Sequence, residues 1–227
     1  MSKKHLTRLD MPKTWPVQKK EYKWIIRPNP GAHPLEKSIP ISLVIKHMLN
    51  HAKTTKEVEK ILNNKEIIVN KKVIKEKKYS VGLFDVIEIP KTKECLRVLI
   101  NKSNKFKLVE IKQEEAVLKP YKIINKTLLK GKKIQLNLSD SKNIIVDKDE
   151  YKTNDTIILN LETKKIQSYL KLDKGSTIYL TSGKYIGYIG IVDNIDNDTI
   201  TFSADNKKIK TSKKYAFVIP KDFIKND

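Results

Sequence analysis

The sequence predicts a mixed α+β chain, mostly β, built from several small units. Three observations carry this. Helical patterning appears only early in the chain. After Asn64 the apolar period shortens from 3.6 to 2 and stays short, as pleated strands require. The chain has 227 residues, 39% of them hydrophobic and 32% charged, which suits one large domain or two to three small ones with packed cores.

Residues 1–37 read as irregular. They contain Pro12, Pro16, Pro28, Pro30 and Pro34, each fixing φ and removing a backbone donor. Nine basic residues face three acidic ones, with Trp15, Tyr22 and Trp24 interleaved. A floppy tail is the plain expectation. Both tryptophans of the protein lie here, however, and that favours an extended basic arm that orders against a polyanion or a protein neighbour.

A first helix is expected over about 41–52. Ile41, Val44, Ile45, Met48, Leu49 and Ala52 recur at helical spacing and form one apolar face. Ser42, Lys46, His47, Asn50 and Lys53 fall on the other side. Thr54-Thr55-Lys56-Glu57 has the spacing of a capping box and starts a second helix, with Val58, Ile61 and Leu62 inward and Asn63-Asn64 at its end. Strands follow at Ile67–Val69, Val73-Ile74, Tyr79–Val81 and Val86–Ile89, the last closed by Pro90. Further β segments are expected at Leu96–Ile100, Phe106–Ile111, Lys133–Leu138, Asn143–Val146 and Thr156–Asn160, with one helical turn at Glu114-Glu115-Ala116. The last unit, from about 173, holds Thr177–Thr181, Tyr188–Val192, Thr199–Phe202 and Ala216–Ile219. It also carries the glycine triplet Gly183, Gly187 and Gly190, whose spacing lets a β-rich backbone turn tightly and expose itself.

Charge points to the partner. Lys+Arg number 47 against 26 Asp+Glu, a formal net charge of +21. Such an excess repels itself without a counter-charge, so a nucleic acid is expected. The arginines are only Arg8, Arg27 and Arg97. Lysine is a mobile point charge and lacks the fork that reads guanine edges, so the balance suits backbone and shape recognition. Cys95 is the single cysteine, which excludes an internal disulfide and multi-cysteine zinc sites and fits a reducing compartment. No apolar run is long enough to span a bilayer, and the N-terminus lacks a secretory signal's apolar stretch. The expected location is therefore cytoplasmic.

His47 and His51 have an i, i+4 spacing, but Met48-Leu49-Asn50 lies between them, without the glutamate of a zinc-protease helix. Gly183-Lys184 lacks the Ser or Thr of a phosphate loop, because Tyr185 follows the lysine. Glu114-Glu115 and Asp147-Asp149-Glu150 have no partnering histidine or Gly-rich phosphate loop nearby, so solvated turns or pairing with lysine are the expectation. No catalytic residue, metal or cofactor is assigned.

The stretch Val58–Ile89, with Val58-Glu59-Lys60-Ile61-Leu62, then Ile68-Val69-Asn70-Lys71-Lys72-Val73, then Tyr79-Ser80-Val81-Gly82-Leu83-Phe84-Asp85-Val86-Ile87, resembles the RNA-binding fold named after bacterial ribosomal protein S4. That hairpin often has Gly where Lys71 stands. A left-handed lysine costs roughly 1 kcal/mol, so a different turn type is expected. Gly183–Gly190 resembles a KOW motif. Arg8-Leu9-Asp10 matches the triplet that holds the catalytic Asp of pseudouridine synthases, but it lies in the proline-punctuated arm, without the preorganised pocket catalysis needs. In this order, with Lys3-Lys4-His5-Leu6 and Pro12-Lys13-Thr14-Trp15 ahead and Asn154-Asp155-Thr156-Ile157 and Phe217-Val218-Ile219-Pro220 behind, the whole chain is similar to the S4e family of archaeal and eukaryotic small-subunit ribosomal proteins. It stops soon after Pro220, which points to the archaeal type.

The resemblance implies a basic arm over 1–37, an S4-like α/β RNA-binding domain over 38–103, a β-barrel-like central domain over 104–172 and an SH3-like KOW barrel over 173–227. It implies a structural role on the ribosome, with small-subunit ribosomal RNA and neighbouring ribosomal proteins as partners and no membrane or small-molecule substrate. An RNA-binding adaptor of an RNA-modifying or transcription elongation complex is the alternative. The expected RNA-binding residues are Lys3, Lys4, Arg8, Lys13, Trp15, Lys19, Lys20, Lys23 and Arg27 of the arm. The helix unit adds Lys46, His47, His51, Lys53, Lys56, Lys60, Lys71 and Lys72, and the KOW loop adds Lys184, Tyr185 and Tyr188.

Overall fold

The computed structural model describes residues 5–18, 22–131, 133–204, 207–220 and 223. The chain forms two compact units, Met1–Lys119 and Pro120–Asp227.

In the first unit a two-stranded ladder joins β1 (Leu6–Thr7) to β2 (Trp24–Ile25), and β3 (Ser38–Pro40) leads into the helices. Helix α1 (Ile41–Leu43) continues into a wider π-type turn over Val44–Met48, where the Leu49 N–H bonds Val44 O five residues back. Asn50 then takes φ 56° and ends the helix, short of the expected 52. Ile41, Val44 and Ile45 are buried as their spacing predicts, but so is Ser42. Helix α2 (Thr55–Asn63) starts as its sequence dictates. The Thr54 hydroxyl accepts from the Glu57 N–H, and the Glu57 carboxylate accepts from the Thr54 N–H.

Next come β4 (Ile68–Val69), β5 (Lys72–Val73), β6 (Ser80–Gly82), β7 (Val86–Ile89), β8 (Glu94–Ile100) and β9 (Phe106–Glu110). They form a five-stranded antiparallel sheet in the order β5-β4-β7-β8-β9, with β6 pairing β3 instead. β9 pairs β8 along its length, so this unit continues past residue 103 to a short helix α3 (Gln113–Ala116). The Arg97 guanidinium, buried on β8, donates to Glu115 O at 3.0 Å and Leu118 O at 3.3 Å and holds α3 down. Burial pulls its pKa down to about 10. The turn between β4 and β5 corrects one expectation. Asn70 and Lys71 have φ 50° and 63°, both positive as a type I′ turn requires. The left-handed lysine is held by an ion pair to Glu88 at 3.2 Å. The Asn70 carboxamide bridges across, accepting from the Val86 N–H at 3.0 Å and donating to Asp85 Oδ1 at 2.7 Å.

The second unit is β throughout its long elements. β10 (Leu118–Leu128), β11 (Ile134–Leu138), β12 (Asn143–Val146), β13 (Thr156–Asn160) and β14 (Ile166–Leu170) make one sheet, in the order β12-β11-β10-β13-β14. Tyr121, Ile123, Leu136, Leu138, Ile157 and Leu159 fill its core. β15 (Thr177–Leu180), β16 (Ile189–Ile195), β17 (Thr199–Ala204), β18 (Lys207–Ser212) and β19 (Ala216–Val218) make the other sheet, ordered β18-β17-β16-β15-β19, around Ile178, Leu180, Val192, Ile200, Phe202 and Val218. The buried Lys122 on β10 donates to the carbonyls of Lys213, Lys214 and Ala216 at 3.2, 2.9 and 2.6 Å, joining the two sheets.

β10, β14 and β18 were not anticipated from the pattern. β10 is buried at every position from Lys119 to Ile123, with the two lysines Lys119 and Lys122 among them, so it shows no alternation there. β18 is a lysine-rich edge, where charge discourages further pairing. In the glycine triplet, Gly183 and Gly187 take φ of 88° and 79°. Gly190 has no such φ, but a Cβ there would lie 2.5 Å from the Phe202 ring and 2.6 Å from Ser203 O.

Candidate nucleic-acid interface

The arm is packed rather than free, which corrects the expectation that it orders only against a partner. Met11, Trp15 and Val17 are buried. Trp15 is fully enclosed, and its indole N–H donates to Ser38 O at 2.6 Å. The Phe106 N–H bonds Thr14 O at 2.9 Å, and the Lys105 ammonium reaches Lys13 O and Trp15 O. Trp15 therefore leaves the set of RNA-facing residues: a ring with no exposed face cannot stack on a base. Arg8 is turned inward along the arm, donating to Gln18 O at 3.0 Å and Val17 O at 2.9 Å. Asp10 is exposed and accepts from the Thr7 hydroxyl at 2.6 Å on a turn.

The tryptophan on the surface is Trp24. It is 58% exposed, with His5 edge-on at 5.7 Å and the Lys23 ammonium 5.8 Å from the ring centroid. Tyr22, 42% exposed, lies nearby in sequence, with Lys46 at 5.9 Å and His47 edge-on at 6.1 Å. The structure thus brings Lys23, Lys46 and His47 to exposed aromatic rings. Composition missed Trp24 because only burial separates it from Trp15. Its place opposite Thr7, beside the inward Ile25, is fixed only by the fold.

The helix unit presents a basic face. Lys53, Lys56 and Lys60 are exposed, and the last two stack four residues apart on α2. Like charges at that spacing repel by a few tenths of a kcal/mol, so the face favours a polyanion. The acidic residues of α2 are engaged elsewhere: Glu57 closes its own cap, and Glu59 accepts from Lys77 at 2.6 Å. His51 is exposed but lies beyond the helix, so it does not share a helical face with His47. Lys72, Lys13 and Arg27 are exposed, whereas Lys71 is half-buried on Glu88. Lys3, Lys4, Lys19 and Lys20 lie outside the described residues.

In the glycine loop Lys184 is exposed, 5.6 Å from the Tyr185 ring centroid. Tyr185 and Tyr188 stand edge to face at 5.9 Å and pack against the core of their sheet. They were expected as RNA contacts; both rings are partly buried against the fold. Of the carboxylates expected in solvated turns or lysine pairs, Asp149 pairs with Lys126 and Asp147 with Lys133 at 4.0 Å, while Glu114 and Glu150 are exposed.

A buried polar knot supports the first unit. Asp85 accepts from the Gly82 N–H and from Asn70 Nδ2, both at 2.7 Å, and from the Lys119 ammonium, with His33 Nε2 at 3.2 Å. Burial alone raises a carboxyl pKa. Here Lys119 first, then His33 and the Gly82 N–H, more than reverse this and hold Asp85 far below the ordinary carboxylate range.

Known proteins resemble the chain end to end. The Ribosomal family S4e model matches residues 92–166, and the RS4NT (NUC023) domain model matches residues 2–36. Small ribosomal subunit protein eS4 of Methanosphaera stadtmanae is 37% identical, over 97% of this chain and 94% of that one. The chain belongs to the eS4 family. The eS4 of Methanocella arvoryzae is 39% identical over 96% of this chain and 94% of its own. Among solved structures, the 30S ribosomal protein S4e from Thermoplasma acidophilum superposes with a TM-score of 0.73 at 27% identity, covering 83% of this chain and 99% of that one. The eS4 family likeness spans both compact units. The mostly β architecture, with few and short helices, agrees with that neighbour.

Proposed function

We propose that this chain is a structural constituent of the small ribosomal subunit that binds ribosomal RNA through lysine-rich surfaces and supports translation without catalysing a reaction. The observation that carries this is the end-to-end likeness to eS4 chains, joined to the net charge of +21. Neighbouring ribosomal proteins would share the interface, and the ribosome in the cytoplasm would be its place of work.

Within it, the helices and the five-stranded sheet of the first unit serve as an S4-like RNA-binding fold. Support comes from the α2 lysines and from the tight Asn70-Lys71 turn, which carries Lys72 at the surface. The last sheet serves as the KOW element. Its support is Lys184 beside backbone turned by Gly183 and Gly187.

Sedimentation tests the role. The protein should track the small subunit at near-stoichiometric level in a sucrose gradient. Sedimentation with polymerase, or apart from ribosomes, would overturn the proposal. The mechanism has its own test. Each phosphate contact releases counterions, so the logarithm of affinity for ribosomal RNA should fall linearly and steeply with the logarithm of salt. A flat salt dependence would refute lysine–phosphate binding.

A further inference from the structure

The geometry points to a stacking site for unpaired nucleobases at Trp24, with Tyr22 as its second ring. This rests on the RNA-binding reading above and says what kind of RNA this surface takes. A tryptophan 58% exposed on an ordered strand is an unusual commitment of apolar surface to water. The strand is anchored from behind. Leu6 pairs with Ile25, Ile25 is buried, and the Arg8 N–H bonds Lys23 O at 3.0 Å, so the indole is held outward by fixed backbone. Tyr22 is two residues away, so its Cα lies no more than about 7 Å from that of Trp24.

The groups set around both rings choose the partner. Trp24 has His5 and Lys23 beside it, and Tyr22 has Lys46 and His47. A ring that docks into a protein usually lies within an apolar patch from which charge is depleted. A ring bordered by cations suits a nucleotide: the base covers the π-face, and its phosphates meet the ammonium groups. Bases inside a duplex offer no free face, so the ligand is a loop, bulge or single strand. Stacking tolerates any base, which agrees with a chain poor in the arginine that reads base edges.

Fluorescence separates the two tryptophans, because Trp15 is enclosed and Trp24 is not. The full chain is titrated with single-stranded oligo(A) and with a blunt RNA duplex of equal length. Oligo(A) should quench the emission and the duplex should not, and Trp24→Phe should abolish the quenching. Trp24→Ala should weaken oligo(A) binding about tenfold with the salt slope unchanged, since stacking releases no counterions. Lys46→Glu should instead lower the slope by about 1. Wild-type affinity in Trp24→Ala, or equal quenching by the duplex, would overturn the site. So would a Trp24→Ala protein that binds RNA normally yet fails to enter small subunits, which would assign the ring to a protein neighbour. A wild-type chain that binds neither oligo(A) nor ribosomal RNA would remove the RNA-binding reading itself along with the site.

Discussion

Residues of one type take opposite roles here, and burial decides which. Trp15 and Trp24 lie nine positions apart in the same basic arm. One is enclosed with its N–H on Ser38 O, and the other is open. Trp15→Ala should therefore cost about 3–5 kcal/mol in urea unfolding, as large-to-small changes in a core do. Trp24→Ala should leave the midpoint within about 0.5 kcal/mol, as surface changes do. Lysine shows the same split. Lys119 is 1% exposed against Asp85, while Lys56 and Lys60 face solvent. Lys119→Met removes the cation that offsets most of the cost of burying Asp85, and a loss of about 3–5 kcal/mol is expected. The pH dependence has a definite sign. Asp85 is depressed in the folded state, so its contribution is fully present well above the unfolded value of about 3.9 and is lost as pH falls below it. Stability should decline on acidification below about pH 5, with a shallower slope in Asp85→Asn; equal slopes would dissociate the knot from acid unfolding.

Elements were legible where local rules agree with packing. The capping box at Thr54–Glu57 formed as spaced, and the apolar stripe of α2 buried Val58 and Leu62. The first helix ran shorter than its pattern. Its turn widens after Leu43, and Asn50 adopts left-handed φ, which carries His51 and Lys53 off the helical face. β10 was hidden because Lys119 and Lys122 point inward, where Asp85 and a set of carbonyls neutralise them; period alone cannot register a satisfied buried charge. The glycine loop divides into two physical causes. Gly183 and Gly187 supply positive φ, and Gly190 supplies room beneath Phe202. Gly190→Ala should destabilise the last sheet by about 1–3 kcal/mol through overpacking, measured by thermal unfolding, because a backbone oxygen blocks the new methyl.

For the molecule as a whole, surplus charge sets behaviour. Replacing Lys46, Lys53 and Lys56 with Glu reverses three charges on the helix unit, and small-subunit incorporation should fail in a gradient while the far-ultraviolet dichroism stays unchanged. Normal incorporation would take this face out of the interface. The sequence by itself determined the class of fold, the surplus of positive charge, the starts of α1 and α2, and the family. Composition, period and motif order are properties of the chain that no packing can alter. Only the tertiary structure decided which basic and aromatic residues face outward. It enclosed Trp15, exposed Trp24, folded the arm onto its unit, and tied Lys71 to Glu88 and Lys122 to carbonyls. The reason is that exposure depends on what a distant segment brings to the other side of a side chain. Ser38 does this for Trp15 and Asp85 for Lys119, and neither pairing leaves a mark in the local sequence.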